Sequence, residues 1–167
     1  MHVDAEPGDW PVRARGTDAA GNEGAAAPVT VHVDLDVPQV VIVAPSSGAL
    51  LGCADDGDAD DADLQRTVVA CASEAGSGTL YSGGVAIAGA TTTTVEAPCE
   101  IGGELTLPFT LTFANATLRQ GSRTLTVRFT DGAAREVTSG GVTVTVDTAP
   151  PRITFFDPVC GATVSTF

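Results

Sequence analysis

Apolar and polar residues alternate along most of the chain, the period of strands half buried against a core. Through Glu104–Phe113, Leu105, Leu107, Phe109, Leu111 and Phe113 share one parity, and threonines take most of the other. Arg123–Thr130 repeats the design, with Leu125, Val127 and Phe129 inward and Thr124, Thr126, Arg128 and Thr130 outward. Val142, Val144 and Val146 form a third stripe, and Gln39–Val43, Thr67–Ala72, Leu80–Ala88 and Thr91–Val95 are shorter candidates. No window carries a helical stripe, and Asp131-Gly132 and Ser139-Gly140-Gly141 supply turn chemistry between the last strands. About seven short strands in roughly 100 residues predict an all-β, two-sheet sandwich. A closed barrel is the alternative, because strand pattern alone does not separate the two.

The pattern occurs twice. Residues 28–51 (PVTVHVDLDVPQVVIVAPSSGALL) align without a gap on residues 141–164 (GVTVTVDTAPPRITFFDPVCGATV) at an offset of 113. In the same register RGTDAAGNE (15–23) lies on RFTDGAARE (128–136), and Gly8 lies on Gly121. Identical pairs include Arg15/Arg128, Asp18/Asp131, Glu23/Glu136, Asp34/Asp147, Pro38/Pro151, Pro45/Pro158 and Gly48/Gly161. Two apolar strands can match by chance, but chance does not also keep the turn residues between them in phase. Solenoid and propeller units run about 20–50 residues, so this period is a whole small domain. The expected division is 1–36 as the C-terminal part of one repeat, 37–148 as a complete domain, and 149–167 as the start of another. Each flank holds too few strands to bury a core of its own.

Length alone, 167 residues, would suggest a single domain, so the repeat changes that picture. Charge narrows the partners: 8 basic residues against 21 acidic ones give a net charge of −13. Such a chain is repelled by phosphate backbones, and no nucleic-acid partner is expected. All eight basic residues are arginines, which removes lysine Schiff-base chemistry and the P-loop. No apolar run approaches the ~18 residues of a membrane helix, and the acidic stretch after Met1 is unlike a signal peptide.

Three local motifs carry a resemblance. They are Thr17-Asp18-Ala19-Ala20-Gly21-Asn22, Val146-Asp147-Thr148-Ala149-Pro150-Pro151, and Leu118 followed by Gly121-Ser122-Arg123-Thr124-Leu125. Together they resemble the tandem bacterial immunoglobulin-like domains of large secreted and surface proteins. That resemblance implies an immunoglobulin-like β-sandwich, an extracellular or cell-surface setting, and neighbouring repeats of the same chain as partners. The second copy departs from it, with Gly132-Ala133-Ala134-Arg135 after the aspartate, and residues 53–104 carry no family signature. Pro38, Pro150 and Pro151 fix φ in the linkers, which contain no flexible Gly/Ser tether. A semi-rigid rod of beads is expected.

Candidate chemistry is sparse. Asp55–Asp63 packs six carboxylates into nine residues, and Asp56, Asp58 and Asp60 form a D-x-D-x-D ladder suited to a calcium ion. Asp61 and Thr67 replace the turn glycine and bidentate glutamate of an EF-hand, so a solvated surface loop is the competing reading. A second calcium candidate joins Asp34 and Asp36 with Asp18, but at the next joint Asp36 becomes Ala149. Hydrogen bonding to turn amides is the expected use of those aspartates.

The cysteines at 53, 71, 99 and 160 lack zinc-site spacing. Cys71 lies in a predicted strand and Cys99 keeps the parity of Leu105 and Leu107, which favours a Cys71–Cys99 bridge. Cys53–Cys71 is the second choice and buried free thiols the third reading. A bridge implies an oxidising, extracytoplasmic compartment. Of the two histidines, His2 is beside the chain start and His32 sits among strand residues rather than in a cleft, so no catalyst is expected. The leading function is therefore a structural spacer. An adhesive or carbohydrate-binding module is the alternative, disfavoured because Trp10 and Tyr81 are the only tryptophan and tyrosine available to stack on sugars.

Overall fold

The computed structural model describes residues 6–57, 63–103 and 105–153. Ten strands follow residue 39: β5 (Val40–Ala44), β6 (Leu50–Leu51), β7 (Leu64–Ala72), β8 (Gly76–Ser82), β9 (Val85–Thr93), β10 (Val95–Ile101), β11 (Leu105–Leu118), β12 (Gly121–Asp131), β13 (Glu136–Thr138) and β14 (Val142–Val146). One sheet has the order β10-β11-β7-β5; the other runs β6-β14-β12-β8-β9, with β13 also paired to β12. All pairings are antiparallel except β6 with β14. In the lettering of immunoglobulin strands these sheets are D-E-B-A and A′-G-F-C-C′, an immunoglobulin-like β-sandwich. Two separate sheets replace the barrel alternative. Seven principal strands are present, and β6, β9 and β13 are added pieces.

Inward parity explains the core. Val68, Ala70, Leu111 and Phe113 of one sheet meet Leu80, Leu125, Val127, Phe129, Val144 and Val146 of the other, all buried. With few aromatics available, two phenylalanines fill the centre, and β8 makes room for them. A Cβ on Gly78 would lie 3.2 Å from Leu111 Cδ1 and 3.3 Å from Phe113 Cζ, and one on Gly76 would strike the Phe129 ring. On the outer face of the six-stranded sheet, Thr124 pairs with Thr143, Thr79 with Thr91, and Arg128 lies 5.0 Å over the Tyr81 ring.

β7 starts at Leu64 rather than Thr67, and three larger departures from the sequence pattern occur elsewhere. Leu80–Ala88 is not one strand but the two arms of a β8–β9 hairpin, turned by Gly83 and Gly84 at φ 58° and 81°. Positive φ at both central residues matches the sheet twist, which is why Gly-Gly makes the turn. Thr91–Val95 spans a crossing: the chain leaves one sheet after Thr93 and enters the other at Val95. There Thr94 N donates to Gly76 O and Gly76 N to Thr94 Oγ1. β11 continues past Phe113 to Leu118 through a bulge that holds Asn115 at φ 50°.

Residues 6–34 form two ribbons: β1 (Gly8–Val12) with β4 (Val29–Val33), and β2 (Arg15–Thr17) with β3 (Glu23–Ala25). Gly8↔Val33 and Val12↔Val29 have the register of Gly121↔Val146 and Leu125↔Val142. Arg15↔Ala25 and Thr17↔Glu23 have that of Arg128↔Thr138 and Thr130↔Glu136. Every pair is shifted by the sequence offset of 113. Among the described residues no helix is long and apolar enough to cross a membrane.

Candidate functional site: the joint between the ribbons and the sandwich

The site is assembled around an aspartate turn that occurs twice. Asp131 Oδ1 accepts from the amides of Ala133 and Arg135, both at 2.8 Å, and Oδ2 from Arg135 Nε at 2.7 Å. Asp18 does the same for the amides of Ala20 and Asn22, with Asn22 Nδ2 taking the place of the guanidinium at 2.8 Å. The backbone bonds also match: Asp131 N to Arg135 O and Asp18 N to Asn22 O are both 3.0 Å. The two turns therefore share one geometry despite their different sequences, and the aspartates cap amides as expected. One difference carries strain: Ala134 has φ 62° where the first copy has Gly21 at φ 86°. Because an L-residue is disfavoured in that region by about 1–2 kcal/mol, Ala134→Gly is expected to stabilise the protein by about 0.5–1 kcal/mol after its larger unfolded-state entropy. An unchanged or lower urea midpoint would refute this.

Arg135 also reaches out of the turn. Its Nη2 lies 2.8 Å from Asp34 Oδ2, just beyond β4, and 3.8 Å from Glu74 Oε2 in the β7–β8 loop. Thus one guanidinium ties the strand leaving the ribbons to two loops of the sandwich. Asp34 Oδ1 accepts from the Asp36 amide, and Ser73 Oγ accepts from the Gln39 amide, so the linker is held at both ends. A cleft of about 480 Å³ lies beside it, lined by His32, Asp34, Asp36, Val37, Gln39, Ser73 and Glu74. His32 does line a cleft, contrary to the strand-face expectation, because β4 ends against the β7–β8 loop. Its Nδ1 is 2.6 Å from Asp9 Oδ1 across the ribbon, and that hydrogen bond raises its pKa.

Of the three carboxylates around Arg135, Glu74 and Asp131 have their pKa values shifted in opposite directions. Burial, with Asp34 and Asp131 nearby, raises Glu74 above its ordinary 4.5, and Arg135 offsets part of this. Burial would also raise Asp131, but hydrogen bonds from Arg135 and Ala133 outweigh it and hold the carboxyl below 3.8. A raised Glu74 penalises the folded state above its folded pKa, and the penalty fades as pH falls toward 4.5. A depressed Asp131 stabilises above 3.8, and that support is lost as pH falls through its folded pKa. The melting temperature is therefore expected to rise slightly as pH falls toward 4.5 and to drop once pH falls below 3.8. Glu74→Gln should abolish the part of the rise that approaches 4.5 and leave the fall, while the raised His32 still adds stability as pH falls toward 6.5. An unaltered pH profile in that variant would contradict the assignment.

At the far end of the sandwich the exit is clamped by Gln120. Its Oε1 accepts from Thr148 N at 3.1 Å and Thr148 Oγ1 at 3.0 Å, while its Nε2 donates to Asp147 Oδ1 at 3.0 Å. Asp147 Oδ1 also accepts from Ala149 N at 3.1 Å, the counterpart of Asp34 with Asp36.

The other sequence candidates fall as follows. Cys71 and Cys99 form a disulfide, and Cys53 is free and exposed. The bridge sits outside the main core, with Leu107 and beside Val43 and Ile101, whereas Leu105 is exposed. Parity with Leu107 held, but that row turns away from the main core at this level. Of the calcium ladder, Asp58 and Asp60 lie outside the described residues. Asp56 Oδ1 accepts from Gln65 N at 2.9 Å, and Asp55 Oδ1 pairs with Arg66 at 3.3 Å. Among the described residues no group of three acidic, histidine or cysteine side chains is placed to hold a metal. Asp18 spends its oxygens on its own turn, and Asp34 meets a guanidinium. The signal for Arg135 was present in the sequence, as a cation replacing Asn22 in an otherwise aligned turn.

These observations define the protein as an immunoglobulin-like β-sandwich preceded by ribbons that are tied to it through one arginine. No family profile and no curated protein matches the chain. Among solved structures it is similar to the fibronectin(III)-like modules of Clostridium thermocellum CbhA, at 18% identity and a TM-score of 0.43, over 68% of this chain and 100% of that one.

Proposed function

We propose that the chain is a stretch of a rod-like array of immunoglobulin-like domains, serving as a non-catalytic spacer in an extracellular or cell-surface bacterial protein. Residues 37–148 are the complete domain, 1–36 end the preceding repeat, and 149–167 begin the next. The carrying observation is the Arg135–Asp34 pair, a contact between elements 101 positions apart that pins one repeat's last strand to the next repeat's loops. The shared ribbon registers and the twice-used aspartate turn support the repeat reading. The Cys71–Cys99 bridge supports an oxidising compartment. Neighbouring repeats are the partners.

Arg135→Asn installs the residue of the first copy, so it keeps the turn and removes the tie to Asp34. The variant is expected to lose no more than about 1 kcal/mol of stability. Small-angle scattering should show a wider distribution of shapes, and cleavage near the exposed Val37 should quicken. Scattering and cleavage identical to the parent would refute the pinned-joint reading.

A further inference from the structure

The ribbon of β1 and β4 separates its two faces sharply. Trp10↔Val31 and Val12↔Val29 pair on one, Asp9↔His32 and Pro11↔Thr30 on the other. Nothing among the described residues covers the apolar face: Trp10, Val12, Val29 and Val31 are 44, 54, 64 and 45% exposed. At the same register in the sandwich, Leu125 and Val144, the counterparts of Val12 and Val31, are 0% exposed. They are covered by the inner face of the β5–β7–β11 sheet. The four apolar side chains, among them the chain's sole tryptophan, form one contiguous stripe rather than scattered exposure.

We propose that this face docks an apolar antiparallel β-sheet. Its occupant is the set of earlier strands of the same immunoglobulin-like unit, carried by chain on the N-terminal side of the ribbon. This rests on the repeat reading. The length required is that of Val40–Leu118, the stretch that precedes the ribbon's counterpart. The ribbon also specifies the shape of its partner. Ala14 and Gly16 stand where the sandwich has the buried Val127 and Phe129. Phe129 fits because Gly76 has no side chain, so with Gly16 opposite the volume must be filled from the arriving strands. Those strands carry large apolar residues where the sandwich carries Gly76 and Gly78.

A second copy is a poor occupant. The ribbon face measures about 17 by 10 Å, from strand rise and spacing. That footprint falls well short of the roughly 800 Å² per partner of a stable interface. Two chains of net charge −13 also repel each other.

Trp10 reports directly. In the 167-residue chain its fluorescence is expected to be red-shifted and readily quenched by acrylamide, with the chain monomeric in sedimentation. Extension upstream through the preceding in-frame coding sequence should shift the emission to the blue and lower the quenching constant several-fold. Val31→Asp in the extended chain should restore quenching, while Thr30→Asp on the polar face should not. The proposal is overturned if Trp10 stays equally quenchable in the extended chain, if no in-frame strand pattern of that length precedes it, or if the 167-residue chain dimerises with Trp10 shielded. The joint test with Arg135→Asn reads a different contact. Arg135→Asn scattering and cleavage identical to the parent, with Trp10 shielded in the extended chain, would refute the pinned joint and leave the docking surface standing.

Discussion

Phe129→Ala is expected to cost about 3–5 kcal/mol. Phe129 is fully buried in the sheet that faces Phe113 and Leu111, and its ring lies over Gly76. Truncation leaves a cavity lined on one side by a glycine, which has no side chain to move into the space, so the site collapses poorly. Against a total stability of roughly 5–15 kcal/mol, such a loss shifts a large part of the folding equilibrium. The converse change tests the same fit from the other side. A Cβ on Gly76 would stand 2.6 Å from Phe129 Cζ and closer still to the carbonyl oxygen of Thr130. Gly76→Ala alone should therefore cost about 1–3 kcal/mol by overpacking. The double variant should be less damaged than the sum of the two, with incomplete relief because the Thr130 carbonyl remains. Urea unfolding at constant m-value measures all three; a loss below about 1 kcal/mol for Phe129→Ala would contradict the packing account.

Removing the disulfide is expected to cost nearly as much by a different route. Cys71 and Cys99 are separated by 28 positions, and loop-closure entropy over such a loop is worth about 3.5 kcal/mol. The bridge also has a local task. β11 lies between β7 and β10, with Cys71 opposite Thr110 and Cys99 opposite Leu107, so flat strands would put the bridged residues about 14 Å apart. Their Cα atoms are 5.4 Å apart, so β10 folds over toward β7 at this level. A small second core of Leu107, Val43 and Ile101 closes around the sulfurs. The Cys71→Ala/Cys99→Ala variant should therefore lose urea stability throughout. Its amide protection should fall first in β10 and the start of β11, while β7, β12 and β14 stay protected under native conditions. Uniform loss of protection across both sheets would refute the separate-core account.

Much of this was legible because strand parity depends on neighbours in sequence. The rows Leu125/Val127/Phe129 and Val142/Val144/Val146 follow period 2 as read. Of the row Leu105, Leu107, Phe109, Leu111 and Phe113, only Leu111 and Phe113 enter the main core, Phe109 packs against it, Leu107 joins the disulfide cluster and Leu105 is exposed. The Asp131 turn was legible for the same reason: an aspartate two to four residues before the amides it accepts from is a local event. The Cys71–Cys99 pairing came from parity as well, although the cluster it would join did not. The breaks were harder. Gly83-Gly84 sits within a run that remains apolar on both sides, so the hairpin was hidden in a continuous stretch. Thr94 moves the chain between sheets with no change in β-branched composition, because either sheet accepts the same residues.

Long-range placement was legible only through the repeat. Arg135 is a surface cation by composition, and its ties to Asp34 and Glu74 depend on how the linker lies across the β7–β8 loop. His32 likewise reaches the rim of a cleft that no sequence window contains.

The sequence by itself determined the class of fold, the inward rows, the turn chemistry and the 113-residue period. Each is set by backbone geometry and side chains within a few positions, or by direct comparison of the two copies. Tertiary structure alone decided the order of the strands, the satellite core around the disulfide, the Phe129–Gly76 fit and the arginine-pinned joint. These depend on which surfaces meet across a hundred residues, where burial and charge pairing act with no regard for spacing along the chain.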